Sequence, residues 1–217
     1  MLLAIDTATR VLSLALHDGD RVVGELTWQS ANYHTVELTP SVAAMLQQAA
    51  ITPSDLKAVA VAIGPGSYTG LRIGLAVAKG LALAHSIPLI GVPTLDIVVA
   101  PIGKEERPLQ AVLQAGRSRI CTCCYHWQDG KWRSVSDTTI TTWEELLSDL
   151  KTQTLFVGEI DTVGQNMIRR QKDDAVLLSG ASSLRRSGFL AEIGWERFKR
   201  NQTDDPASLA PIYLNTL

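Results

Sequence analysis

One order of secondary structure is predicted twice along the chain, and this repeat limits the fold more than any other feature of the sequence. The first half predicts strands at 2–6, 11–17 and 21–29, a helix at 33–50, a strand at 57–63, a helix at 69–85, a strand at 88–92 and a helix at 94–100. The second half predicts strands at 109–115, 119–127 and 131–140, a helix at 143–150, a strand at 154–158, a helix at 161–170, a strand at 175–178 and a helix at 187–200. Three strands joined by tight turns and followed by alternating helices and strands imply an α/β architecture with a mixed sheet in each half.

Residues 101–108 are the best candidate for a boundary between the two halves. This stretch holds two prolines, a glycine and four charged residues, which favour an exposed connection. We therefore expect an N-terminal lobe at 1–102 and a C-terminal lobe at 103–217.

Composition excludes several classes of protein. The chain has 217 residues, of which 46% are hydrophobic, and a formal net charge of −2. This balance is typical of a globular protein and argues against one that binds nucleic acid by charge alone. Asp6 interrupts the opening apolar residues too early for a signal peptide, and the charge-free runs are too short for a membrane span. We expect a cytoplasmic protein without membrane contact.

Two segments have the residue types of a phosphate or metal site. Asp6, Thr7 and Thr9 follow the first strand, where a carboxylate can orient a hydrated metal and hydroxyls can hold phosphate. The alternative is a turn in which these side chains bond nearby backbone groups. Gly64 and Gly66 follow a buried strand and precede a helix, which fits either an anion site or a tight turn capped by a hydroxyl. The spacing matches neither a Walker A loop nor the dinucleotide fingerprint.

Small residues recur at every fourth position of the helix that follows this loop, at Gly70, Gly74, Ala78 and Ala82. Glycine costs roughly 1 kcal/mol relative to alanine inside a helix, so two glycines indicate a packing requirement. The spacing leaves two possibilities open, close packing on the chain's own sheet and a helix contact between subunits.

The remaining polar clusters predict no catalytic or metal site. His34 would need a second ligand one helical turn later, where the chain has Leu38. Cys121 and Cys124 fall on opposite faces of a predicted strand, which disfavours a shared metal. Basic residues accumulate in the last third and make RNA contact conceivable, although such a run is more often a solvated helix face. They are Arg169, Arg170, Lys172, Arg185, Arg186, Arg197, Lys199 and Arg200.

Several motifs resemble those of the TsaB family, also called YeaZ. They are AIDTAT at 4–9, HTVELTP at 34–40, GPGSYTGLRIGLA at 64–76, GVPTL at 91–95 and PIYL at 211–214. The resemblance is strong over 2–100 and weaker over 109–200, and the GPGSYTGLR run is highly specific. It implies a duplicated actin-like fold (ASKHA, RNase H-like).

The resemblance also implies a function. Proteins of this family are scaffold subunits of the bacterial machinery that adds threonylcarbamoyl to N6 of adenosine 37 in tRNAs that read ANN codons. They pair with the catalytic paralogue TsaD and with the ATPase TsaE, form homodimers when alone, and leave tRNA contact mainly to the complex. The resemblance implies that the dimerisation helices lie in the N-terminal lobe at 1–102. The residues that we expect at the partner interface are His34, Leu38, Val42, Met45, Ser67, Tyr68, Thr69, Gly70, Leu71, Arg72, Gly74, Leu75, Ala78 and Ala82.

The residues themselves favour a chain without catalytic function. TsaD holds its metal with an H-x-x-x-H helix, whose second position is Leu38 here, and Gln114 occupies the place of a second acidic residue of the nucleotide site. We therefore expect no catalytic residue, no metal and no cofactor, and a degenerate nucleotide site at Asp6, Thr7, Thr9, Gly64 and Gly66. The alternative is a small ASKHA-fold ATPase or nucleotide-binding protein that uses Asp6 and the 64–66 loop.

Overall fold

The computed structural model describes residues 1–31, 34–171 and 173–214, which divide into two compact units. The first unit is Met1–Ile97 with Arg186–Tyr213, and the second is Val98–Arg185 with Leu214. Among the described residues, no helix combines the length and the hydropathy that crossing a bilayer requires.

The first unit is built around a sheet of five strands in the order β3-β2-β1-β4-β5. The strands are β1 (Leu2–Asp6), β2 (Val11–His17), β3 (Val22–Gln29), β4 (Ala58–Ala62) and β5 (Leu89–Val92). Strands β1, β2 and β3 pair antiparallel, whereas β4 and β5 extend the sheet in parallel from β1. The helices that follow in this part of the chain are α1 (His34–Gln48), α2 (Tyr68–His85) and α3 (Thr94–Val99), and a single 3-10 turn lies at Pro53–Asp55.

The second unit repeats this topology with the strand order β11-β10-β6-β7-β8. Its strands are β6 (Leu109–Gly116), β7 (Arg119–Gln128), β8 (Lys131–Ser134), β9 (Thr139–Thr141), which pairs with β7, β10 (Thr154–Gly158) and β11 (Ala175–Leu177). Its helices are α4 (Trp143–Ser148), α5 (Thr162–Arg170) and α6 (Gly180–Ser183). Antiparallel pairing joins β6, β7 and β8, and parallel pairing joins β6, β10 and β11, so the predicted mixed sheet in each half is confirmed.

The helix α7 (Ser187–Lys199) packs on the first sheet, although the linear division at 102/103 assigned it to the second lobe. The side chains on the sheet face beneath α7 are unusually small. They include Ala4, Ala15, Ala58, Ala60 and Ala62. The helix presents its own small residues, so its backbone comes close: a Cβ on Gly194 would lie 2.6 Å from the Cβ of Ala60.

Polar contacts from the first sheet hold the start of α7. The Ser187 N–H donates to Ser13 Oγ at 2.8 Å, and the Gly188 N–H donates to Glu25 Oε1 at 2.7 Å. Arg186 forms an ion pair with the same Glu25 carboxylate. Two N–H groups of the first turn, which have no partner within the helix, are thereby bonded to strands that lie far away in sequence.

Larger side chains cover the opposite face of the first sheet. There α1 and α2 bury Leu38, Val42, Leu46, Leu75 and Ala78 against the leucine, isoleucine and valine residues of β1, β2 and β4. Both helices therefore lie on one side of the sheet and turn their other faces away from it.

Two boundaries differ from those that the sequence predicts. Helix α1 continues through Pro40, which the sequence placed in a first turn or before the helix; residue 33, where we expected the helix to begin, lies outside the described residues. Pro40 and Val36 are both exposed, so water can bond the Val36 carbonyl that the proline leaves without a donor. The predicted strand at 131–140 is interrupted between β8 and β9, where Ser136 Oγ accepts from the Cys124 N–H at 3.0 Å and competes with regular pairing.

A pair of glycine substitutions tests the close packing of α7. Gly194→Ala should lower the free energy of unfolding by about 1–3 kcal/mol because its Cβ overlaps Ala60. Gly80→Ala in α2, where no atom lies within 4 Å of an added Cβ, should raise it by about 0.5–1 kcal/mol. Urea denaturation measures both values, and a gain in stability for Gly194→Ala would contradict this packing.

Candidate functional site

The polar side chains of the turn after β1 form hydrogen bonds with backbone groups of the protein. Asp6 is fully buried, and its Oδ1 accepts from the Ala8 N–H at 2.9 Å. The Thr7 hydroxyl donates to the Gly70 carbonyl at 2.7 Å, and Thr9 Oγ1 accepts from the Val11 N–H at 3.2 Å. Asp6 and Thr9 thus bond nearby backbone groups, as in the turn alternative, whereas Thr7 bonds a carbonyl of the helix that begins at Tyr68.

The 64–66 loop packs directly on this turn. The Ser67 N–H donates to the Ala8 carbonyl at 2.6 Å, and a Cβ on Gly66 would lie 2.2 Å from the same oxygen, so only glycine fits there. Gly64 has a φ of +112° and is bonded at both backbone groups to Thr94, with its N–H donating to Thr94 Oγ1 at 3.1 Å and its carbonyl accepting from the Thr94 N–H at 2.8 Å. Both glycines thus serve close backbone packing.

Helix α2 begins directly after this loop, and the residue before its first turn caps it. Ser67 is the N-cap, and its hydroxyl accepts from the Gly70 N–H at 3.2 Å. This cap was one of the two possibilities that the sequence left open for the loop. The arrangement joins β1, the loop and α2 into one packed corner of the first unit.

The small-residue stripe of α2 faces this corner and the sheet. A Cβ on Gly70 would lie 2.2 Å from the Thr7 carbonyl, and a Cβ on Gly74 would lie 2.2 Å from Thr7 Oγ1. Ala78 and Ala82 are buried in the core that α2 forms with the sheet. Of the two possibilities for the stripe, packing on the chain's own fold is the one that occurs.

The predicted partner interface stays a prediction, and its residues differ in how far the fold exposes them. Ten of the residues expected to meet a partner are buried inside the first unit. They are His34, Leu38, Val42, Met45, Gly70, Leu71, Gly74, Leu75, Ala78 and Ala82. The other four, Ser67, Tyr68, Thr69 and Arg72, are exposed.

The opposite sides of α1 and α2 form an exposed surface that we call the outward helical face. Its residues on α1 are Thr35, Val36, Thr39, Pro40, Ala43, Ala44, Gln47 and Gln48, and those on α2 are Thr69, Arg72, Ala76, Gly80, Leu83 and Ala84. They are mostly small or apolar, and α2 contains no acidic residue. Sequence spacing missed this surface because small and apolar residues occur on every side of α2, so periodicity could not separate the inner side from the outer.

The other candidates from the sequence have structural roles. Gln114, near the end of β6, donates from Nε2 to the Glu159 carbonyl at 2.9 Å. Cys121 and Cys123 are buried while Cys124 is partly exposed, and burial raises the pKa of Cys121 to about 12, so this thiol stays protonated. Among the described residues, no three His, Cys, Asp or Glu side chains lie together as metal ligands would.

Most of the basic residues of the last third are paired with acids. Lys172 lies outside the described residues, and Arg169 and Arg170 are exposed on α5. The ion pairs are Arg185 with Glu159, Arg186 with Glu25, Arg197 with Asp204, and both Lys199 and Arg200 with Glu196. Such pairing reduces the charge that this region can offer to phosphates.

A double-mutant cycle tests whether Thr7 and Gly74 pack against each other. Gly74→Ala alone should lower the free energy of unfolding by about 1–3 kcal/mol, because the new Cβ meets the Thr7 hydroxyl. Thr7→Ala alone should also destabilise, because it removes a buried hydrogen bond to Gly70. In the double variant the alanine at 74 no longer clashes, so the two losses should fall short of additivity by about 0.5–3 kcal/mol in urea denaturation. Additive losses would contradict this packing.

Comparison with known proteins agrees with the sequence motifs. The family model for TsaD, tRNA N6-adenosine threonylcarbamoyltransferase, matches residues 25–187. The tRNA threonylcarbamoyladenosine biosynthesis protein TsaB of Bacillus subtilis is 30% identical over 217 residues, a match that covers 98% of this chain and 93% of that protein.

Solved structures confirm the fold. The structure of YeaZ from Pseudomonas aeruginosa has a TM-score of 0.81 and 27% identity, over 98% of this chain and 99% of that one. The activator of 2-hydroxyisocaproyl-CoA dehydratase from Clostridium difficile, solved with bound ADPNP, has a TM-score of 0.55 and 10% identity over 97% of both chains, which shows the shared fold alone. The duplicated actin-like α/β fold is therefore confirmed, and the chain belongs to the TsaB (YeaZ) family of tRNA threonylcarbamoyladenosine biosynthesis proteins.

Proposed function

We propose that the chain is a non-catalytic scaffold subunit in the transfer of threonylcarbamoyl to N6 of adenosine 37 in ANN-decoding tRNA. In this proposal it acts in the cytoplasm and pairs with a TsaD-like paralogue, which performs the transfer, and a TsaE-like ATPase completes the complex. It forms a homodimer when alone. The tRNA contacts are made mainly by the assembled complex.

The observation that carries the proposal is that α2 has small and apolar residues on all sides. Its inner side is buried in the first unit, while Ala76, Gly80, Leu83 and Ala84 remain exposed. Small and apolar residues on the exposed side of a helix favour cover by a second protein surface. The exposed side of α1 adds Val36, which is 63% exposed, to the same outward helical face.

The contacts at the turn after β1 support a role without catalysis. Asp6 and Thr7, which a nucleotide-binding relative of this fold would need, are buried and bonded to backbone groups of the same unit. Gln114 is neutral and cannot replace an acidic residue near a bound cation. The proposal therefore assigns the chemistry to the paralogue and the docking surface to this chain.

Ala76→Arg is the variant that tests docking through the outward helical face. Ala76 is exposed, so the fold should tolerate the change, but a charged side chain in the centre of an apolar interface should weaken pairing with the TsaD-like paralogue by about 100-fold. Calorimetry of the two chains measures the affinity. Formation of threonylcarbamoyladenosine in a mixture with the TsaE-like ATPase and tRNA should fall in parallel.

Val163→Arg on α5 is the matched control, because Val163 is 59% exposed but belongs to the second unit, whereas α1 and α2 belong to the first. It should leave pairing and modification unchanged. Undiminished pairing in Ala76→Arg would contradict docking through this face. Micromolar binding of Mg-ATP by the isolated chain would instead favour the nucleotide-binding alternative.

A further inference from the structure

An exposed aromatic cluster lies at the start of α2. The rings of Tyr68 and Tyr213 have centroids 5.0 Å apart and are inclined by 33°. The Arg72 guanidinium lies 5.0 Å from the centroid of the Tyr68 ring, and its Nη1 donates to the Tyr68 hydroxyl at 2.6 Å. Tyr68 is 58% exposed and Tyr213 is 44% exposed, so these three side chains hold one another in place while remaining accessible.

The segment that carries Tyr213 is fixed to the same corner of the first unit. The Ile212 N–H donates to the Ile63 carbonyl at 2.7 Å, and a Cβ on Gly64 would lie 2.6 Å from the Ile212 carbonyl. Residues far apart in sequence thus build one surface, with α2 supplying Tyr68 and Arg72 and the carboxyl-terminal segment supplying Tyr213.

The charge around this cluster is suited to an acidic group. Helix α2 contains Arg72 and Lys79 and no acidic residue, and within the described part of the chain Arg72 makes no ion pair. Its guanidinium donates from Nη1 to the Tyr68 hydroxyl, and a guanidinium has further N–H groups that can donate to a second acceptor. A carboxylate is the group that such a planar donor set binds best among protein side chains.

The geometry favours a protein partner over an RNA base. Base stacking needs an open ring face, whereas the Tyr68 ring already has Arg72 and Tyr213 packed against it. The cluster is also continuous with the outward helical face, because Arg72 belongs to both and Tyr68 and Thr69 are adjacent in the first turn of α2. Tyrosine and arginine at the margin of an apolar surface are typical of the residues that contribute most to protein association.

We propose that Tyr68, Arg72 and Tyr213 anchor the pairing of this chain with its TsaD-like partner. In this inference, which rests on the proposed function, Arg72 binds a carboxylate of the partner and the two tyrosine rings pack against the apolar part of the same partner segment. The carboxyl-terminal segment is therefore part of the docking surface and is required for full affinity.

Arg72→Met and Tyr213→Ala test the anchor in the full chain, with affinity for the TsaD-like paralogue measured by calorimetry. Each variant should weaken pairing by about 30-fold or more, the scale of an interface hot spot. Tyr213→Phe keeps the ring and should stay within about 3-fold of the original affinity. Thermal unfolding of every variant should stay within about 2 °C, because these side chains are exposed.

Salt dependence separates a charge contact from a loss of packing. The affinity of the original chain should fall between 50 mM and 500 mM salt, and this fall should be smaller for Arg72→Met because the carboxylate contact is gone. If Arg72→Met and Tyr213→Ala both keep the original affinity for the TsaD-like paralogue, the anchor is overturned. This holds also if the two variants lose affinity for an anticodon stem-loop RNA instead. Ala76→Arg tests docking through the outward helical face independently of the anchor. If only this variant abolishes pairing, docking through that face is supported and the anchor is overturned.

Discussion

The contact of Thr7 with Gly70 and Gly74 fixes the position of α2 on the turn after β1, and the packing of the first unit depends on it. Gly70 and Gly74 allow the helix to lie against the turn after β1 at a distance that no Cβ would permit, and the Thr7 hydroxyl is bonded to the Gly70 carbonyl. This packing has two consequences. It engages the side chains that a nucleotide site would need, and it uses one whole side of α2 for the fold, so that only the other side is available for the docking that we propose.

The sequence predicted the architecture well because both sheets depend on local patterns. Tight turns between β1, β2 and β3, and the nearly all-apolar β4, are visible in the residues themselves, and the same order recurs in the second unit. The position of α7 was missed because chain order suggested two consecutive lobes. The signal was nevertheless present, because alanines alternate along β4. Only a helix with glycine or alanine at matching positions, as at Ala191 and Gly194, can approach them closely.

The candidate site was harder to predict because α2 has no polar side. Spacing identified the stripe from Gly70 to Ala82 correctly as a close-packed surface but could not decide which surface it packs against. The decisive residue is Thr7, whose position next to Gly74 is a contact between distant parts of the chain. The aromatic cluster was invisible for the same reason, since Tyr68 and Tyr213 come together only in the folded chain. A turn whose polar side chains are bonded within the fold fits our proposal that the chain supports the chemistry of another subunit.

Hydroxyl-radical footprinting of the chain alone and with its TsaD-like paralogue measures side-chain exposure residue by residue, and so reports whether the outward helical face is covered in the complex. We expect Tyr68, Val36 and Leu83, which are 58%, 63% and 65% exposed in the chain, to become protected in the complex. Val163 in the second unit should keep its reactivity. Unchanged reactivity of Tyr68, Val36 and Leu83 in a stable complex would contradict docking through the outward helical face.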